Sequence, residues 1–195
     1  GDLPYPDGKK PIDLIKTCIN LYNSNKGVFL DFFAGSGSLC HAVMRENAID
    51  GGCRKFIAIQ IPEKIDPKNK KYQNSISTYE QSNIPLVITE VSKERIRRAG
   101  KKILEGECHE GWNKDIGFRV LKVDSSNMEE VYYSPDKVEQ TTLSLLQENI
   151  KSDRSPEDLL FQVMLDWGVE LSLPIEKQEV CGTEVFYVDD NVLAA

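Results

Sequence analysis

The sequence predicts an α/β fold: a partial parallel sheet followed by a C-terminal α+β extension. Short apolar runs at residues 28–33, 55–61 and 117–124 read as strands. Stretches with apolar residues at helical spacing separate them. Strands that alternate with helices form a parallel sheet with right-handed crossovers. That alternation stops near residue 130, so residues 1–130 are assigned to the sheet-bearing part and residues 131–195 to the extension.

Pro11 at a first helical position, with Ile12, Ile15, Ile19 and Tyr22 at helical spacing, predicts a leading helix closed near Gly27. VFLDFF at residues 28–33 has the continuous apolar character of a strand buried on both faces. AGSGS follows at once, and residues 38–48 look helical. KFIAIQI at residues 55–61, between Gly51-Gly52 and Pro62, is the second strand. Residues 62–85 are polar and without period, which predicts a mobile excursion, because loops beyond ~12 to 15 residues are usually lids or insertions.

Helical pattern resumes over residues 90–104, and GFRVLKVD at 117–124 reads as the third strand. A helix is expected at 137–150. Another is delimited by Ser155 as N-cap, Pro156 at the first helical position, Asp158 three residues past the cap and Gly168 beyond the end. VELSLPIE and TEVFYVDDNVLAA then read as a strand pair joined around residues 177–182.

At 195 residues the chain has the size of one globular domain, or of one domain with an appendage. Apolar residues make up 40% and charged residues 28%, which excludes disordered and fibrous compositions. No apolar run approaches the ~20 residues of a membrane helix, and the N-terminal segment has no apolar signal region. Five scattered cysteines with no C-x-x-C pair and two histidines indicate neither zinc nor a disulfide framework, and no metal site is expected. Reduced thiols point to the cytoplasm. The net charge of −7 argues against phosphate binding over the whole surface.

The chemistry concentrates where Gly35 and Gly37 lie between a buried strand and a helix. Glycine permits a tight turn and close approach of a ligand, and the helix N-terminus offers undonated N–H groups. A plain strand-to-helix turn is the structural alternative. A dinucleotide fingerprint would require a glycine at Cys40, and no G-x-x-x-x-G-K-[ST] occurs, which disfavours a diphosphate. Asp31 at the strand end suits a ligand bearing an ammonium group.

DFFAGSGS resembles the D-x-F-x-G-S-G-[TS] motif of S-adenosylmethionine-dependent DNA amino-methyltransferases. With KKPIDLI before it, and GGCRKFIAIQIPE, TEVSKERIRRAGKKI and DIGFRVLKVDSSNM after it, the chain resembles the C-terminal part of type III restriction-modification modification (Mod) subunits. These are adenine-N6 methyltransferases of the beta arrangement. The resemblance runs from about residue 9 to 195. It implies a Rossmann-like methyltransferase fold, with the cofactor-binding part in residues 1–130, and a bacterial cytoplasmic location.

The resemblance further implies that Lys10 and Pro11 border the cofactor's carboxylate end, and that Asp31, Phe32, Phe33, Ala34, Gly35, Ser36, Gly37 and Ser38 form the methionine and adenosine pocket. Gln60 stands where an acidic residue normally holds the ribose; an amide can bond a hydroxyl but supplies no charge. Glu63 is a substitute candidate or a solvated loop carboxylate. Asp124, Ser125 and Ser126 line the adenine side or make a structural turn. The implied partners are double-stranded DNA, the restriction (Res) subunit and a second Mod subunit in a homodimer.

The family's [DN]-P-P-[YFW] motif, which grips the flipped target base, is absent, since no Pro-Pro pair occurs. The resemblance therefore implies a truncated piece carrying half a site, inactive alone, with no catalytic residue of its own. Lys93, Arg95, Arg97, Arg98, Lys101 and Lys102 form either a phosphate-facing cluster or a solvated helix face. His41 is read as a packed or solvated residue, and Trp112, Tyr132, Tyr133 and Trp167 as packing aromatics rather than base-stacking platforms. A methyltransferase for another substrate and a non-catalytic subunit-docking module are the alternative functions.

Overall fold

The computed structural model describes residues 3–5, 10–70, 72–129, 149–189 and 192–195. It is mixed α/β and divides into two compact units, Gly1–Phe118 and Arg119–Ala195.

In the first unit α1 (Ile12–Leu21) leads into β1 (Lys26–Asp31), α2 (Ser38–Asp50) and β2 (Cys53–Ala58), followed by α3 (Gln73–Gln81) and α4 (Ile88–Leu104). The two strands pair in parallel, Phe29 opposite Phe56 and Asp31 opposite Ala58. Phe29 and Phe56 pack with Ile19, Ala42 and Val43, so α1 and α2 cover that face. Ile96 and Ala99 of α4 meet Cys40 and Met44 of α2, and Phe56 packs against this cluster as well. The opposite sheet face corrects the expectation of strands buried on both faces. Val28, Leu30 and Ile57 alternate away from the helices and remain at least half exposed, because the described helices lie on one side only.

A polar network joins α2 to β2. Arg54, its side chain 4% exposed, bonds both carboxylate oxygens of Asp50 at 3.0 and 2.8 Å and the Ser24 carbonyl at 2.9 Å. Asn47 pairs with the Arg54 backbone, accepting its N–H at 3.1 Å and donating to its carbonyl at 2.8 Å. The guanidinium is thereby satisfied by charge and by backbone oxygen, the condition under which a buried cation is tolerated.

The polar stretch after β2 is not a structureless excursion. It contains α3, whose Ile76 and Tyr79 join Leu3, Ile65, Ile84, Ile88 and Val91 in one buried cluster. The Tyr79 hydroxyl donates to the Pro4 carbonyl at 2.7 Å. Two apolar side chains three apart are too few for a recognisable period, yet they suffice once the N-terminal segment and α4 supply the other walls.

The expected strand at residues 117–124 is not formed. Among the described residues they have no ladder partner, and Val120, Leu121 and Val123 are exposed. A strand exists only by pairing, so an apolar run alone does not make one.

In the second unit α5 (Pro156–Asp166) begins with the expected capping box. The Asp158 N–H donates to Ser155 Oγ at 3.2 Å, and the Ser155 N–H donates to Asp158 Oδ2 at 2.8 Å. β3 (Ile175–Val180), β4 (Thr183–Val188) and β5 (Leu193–Ala194) form an antiparallel sheet. The first strand of the expected pair therefore starts later, because the turn is only Cys181-Gly182, with φ of 53° and 82°. Positive φ at both residues is what a two-residue hairpin demands. Leu160 and Met164 of α5 pack against Phe186, Val188 and Leu193. The helix expected at 137–150 and Tyr132 and Tyr133 lie outside the described residues, apart from residues 149 and 150. Trp112 is buried, whereas Trp167 is 72% exposed and does not pack as expected.

Candidate functional site: the glycine loop and its cavity

The loop between β1 and α2 sits at the carboxyl ends of both parallel strands, where open α/β sheets bind ligands. The ladder continues past the strands: Ile59 donates to the Asp31 carbonyl at 2.8 Å, and Ala34 donates to the Ile59 carbonyl at 3.1 Å. Asp31 Oδ1 accepts the Phe33 N–H at 3.1 Å, which fixes the exit from β1. The chain then reverses with the Gly37 N–H on the Ala34 carbonyl at 2.8 Å. Gly35 and Gly37 have φ of 49° and 68°, the left-handed region that glycine enters without strain. At Gly37 space matters too, since a Cβ would stand 2.8 Å from Ile96 Cδ1 and Cγ1.

A cavity of about 470 Å3 opens beside this loop. Of the residues expected to hold a cofactor, Lys10, Asp31, Phe33, Ala34, Gly35, Ser36, Ser38 and Gln60 line it, joined by Tyr5, Glu63 and Ile88. Pro11, Phe32 and Gly37 are not among the lining residues. Pro11 precedes α1, Phe32 packs edge-on against Phe33 with centroids 5.4 Å apart, and Gly37 is turned against Ile96. The Ser36 and Ser38 hydroxyls are 3.0 Å apart.

Gln60 is engaged within the protein: Oε1 accepts the Gly35 N–H at 2.8 Å, and Nε2 donates to the Ile61 carbonyl at 3.2 Å. It is a brace of the loop as well as a cavity wall. Cys40, one turn into α2, is fully buried, and burial pushes its thiol up to about 12. Asp124 and Ser125 belong to the second unit, where Arg154 bonds both, at 3.3 and 2.8 Å, and Lys151 reaches Ser125 at 3.0 Å.

The cationic helix divides by face. Lys93 pairs with Glu90 at 2.6 Å and Arg98 with Glu94 at 2.8 Å, while Arg97 lies over the Phe118 ring. Arg95 departs from both readings of the run: it is 2% exposed and donates to the Ser36 carbonyl at 2.8 Å. Ser92 is also buried and bonds the Gly35 carbonyl. Both were missed as loop contacts. The signal was their position on the inward stripe with Ile88, Val91, Ile96 and Ala99.

Residues 5–71, which include the loop and most of the cavity wall, match the family described as DNA methylase. The Mod subunit of the type III restriction-modification enzyme StyLTI from Salmonella typhimurium is 40% identical over 113 residues, 58% of this chain and 16% of its own. The chain resembles part of a type III Mod subunit. The EcoPI Mod subunit of Escherichia phage P1 is 36% identical over 115 residues, and the EcoP15I Mod subunit of Escherichia coli is 31% identical over 114. The similarity to Mod subunits thus covers 58 to 59% of the chain, less than the 9–195 span expected from the motifs. The chain spans 15 to 16% of the length of these Mod subunits.

Among the described residues no group of three His, Cys, Asp or Glu side chains could hold a metal ion. No described helix is long and apolar enough to cross a membrane.

Proposed function

We propose that the chain is the S-adenosylmethionine-binding part of a site-specific DNA adenine-N6 methyltransferase of a type III restriction-modification system, built on a Rossmann-like sheet. The carrying observation is the Asp31–Ser38 strand, loop and helix beside the cavity, within the stretch that matches DNA methylases.

The residues fit that ligand chemically. The cavity lies within the ~300 to 1,000 Å3 range of small-molecule sites. Lys10 offers a cation to a carboxylate, Asp31 a carboxylate to an ammonium, and Phe33 and Ile88 apolar surface to a nucleoside. When bound, the cofactor supplies an electrophilic methyl group on a sulfonium. The work of this chain is to bind and orient that donor and to keep water from it, so its contribution is positional. The sequence has no [DN]-P-P-[YFW] motif, so this reading gives the chain the donor side and leaves the grip on the target adenine to other residues of the assembly. Double-stranded DNA, a restriction subunit and a second Mod subunit are the partners that go with it.

Calorimetric titration with S-adenosylmethionine tests the reading. The parent chain is expected to bind and Asp31→Ala to lose binding, because the ammonium then has no counter-charge. A parent chain that does not bind, or an Asp31→Ala variant that binds equally well, overturns the assignment.

A further inference from the structure

We propose that Ser92 and Arg95 of α4 are positioning residues that set the cofactor loop; the inference rests on the S-adenosylmethionine reading above. α4 touches the loop at three consecutive residues. Ser92 Oγ bonds the Gly35 carbonyl, Arg95 Nη1 donates to the Ser36 carbonyl at 2.8 Å, and Ile96 lies against Gly37 with no room for a Cβ. The Ile88 carbonyl one turn earlier lies 2.8 Å from the same Oγ and shares its single proton with the Gly35 carbonyl.

These contacts fix peptide planes. In a trans peptide the carbonyl and the following N–H point in opposite directions. Holding the Gly35 carbonyl at Ser92 therefore turns the Ser36 N–H away from Ser92, and no described residue accepts it. Holding the Ser36 carbonyl at Arg95 turns the Gly37 N–H onto Ala34. Two carbonyls that would otherwise repel an anionic or carbonyl-bearing ligand are taken up by α4, and one amide donor is left for a ligand. Gln60 holds the Gly35 N–H from the opposite flank, so the loop is braced on both sides. The buried cation of the helix thus works on the loop, distinct from the cations paired with Glu90 and Glu94. Neither Ser92 nor Arg95 lines the cavity; each acts through the loop backbone.

The test is titration of S-adenosylmethionine into the parent chain, Ser92→Ala, Arg95→Met and Arg95→Lys, with the melting temperature of each ligand-free protein measured alongside. Ser92→Ala and Arg95→Met are expected to raise Kd by about tenfold or more, the scale of one lost hydrogen bond to a charged or anchored donor. Arg95→Lys is expected to recover part of the loss, because an ammonium still reaches a carbonyl; burial alone would not produce that rescue. Ser92→Ala removes a single oxygen and is expected to leave melting within a few degrees of the parent, so the inference stays testable if Arg95→Met unfolds. Parent-like affinity in a folded Ser92→Ala and in Arg95→Met overturns the positioning role and leaves the cofactor reading standing. No binding by the parent overturns the cofactor reading, and this inference with it.

Discussion

Replacing Gly37 by alanine tests whether the loop conformation is imposed by the fold. The residue has φ 68°, and a left-handed conformation costs a non-glycine residue ~1 to 2 kcal/mol. The added Cβ would lie 2.8 Å from two carbons of Ile96, a side chain 5% exposed and packed among Cys40, Met44 and Ala99. Forcing one carbon into such packing costs a further ~1 to 3 kcal/mol. Gly37→Ala is therefore expected to lose about 2 to 5 kcal/mol, a large part of the ~5 to 15 kcal/mol typical of a folded domain. With a urea m-value near ~2 kcal/mol/M, the midpoint falls by roughly 1 to 2.5 M. Urea unfolding followed by circular dichroism measures it. A double-mutant cycle with Ile96→Ala separates the two costs, since removing the Ile96 atoms relieves the clash but not the backbone strain. The pair should be at least ~1 kcal/mol less destabilising than the sum of the singles. An unchanged midpoint in Gly37→Ala, or additivity in the cycle, refutes the reasoning.

Two further expectations concern groups at the two ends of α2. The Arg54 hydrogen bond holds Asp50 below the ordinary carboxylate range, so its stabilisation is present above the unfolded pKa of about 3.9 and is lost as pH falls through the lower folded value. Asp50→Asn should cost about 1 to 2 kcal/mol at pH 7, discounted because the carboxylate is 41% exposed, and less at pH 3, below the unfolded value; an equal cost at both pH values refutes the pairing. The Cys40 thiol, buried and pushed up to about 12, should resist a thiol reagent at pH 8 until the protein is unfolded, while exposed Cys18, Cys53 and Cys181 react; native labelling of Cys40 would refute its burial.

Much of the loop's shape was legible because its determinants are local. Two glycines between an apolar run and a helix mark a loop with φ of 49° and 68°, which glycine follows without strain, and eight of the eleven residues singled out line one cavity. Gln60 illustrates the limit. Its position beside the loop could be read, but its bond to the Gly35 N–H joins residues twenty-five apart, and nothing in the local pattern discloses such a bond.

The sequence by itself determined the elements whose stop and start signals lie within a few residues: α1 after Pro11, the strand, glycine loop and helix at Asp31–Ser38, and α5 with its Ser155–Asp158 box. Tertiary structure alone decided the rest. α3 exists because Ile76 and Tyr79 find Leu3 and Val91, and the run at 117–124 is no strand because it finds no partner among the described residues. Arg95 likewise looked like one cation among six until the packing of α4 turned it toward the loop. Caps and glycine turns act over a few residues of chain, whereas burial and strand pairing depend on what the fold brings alongside.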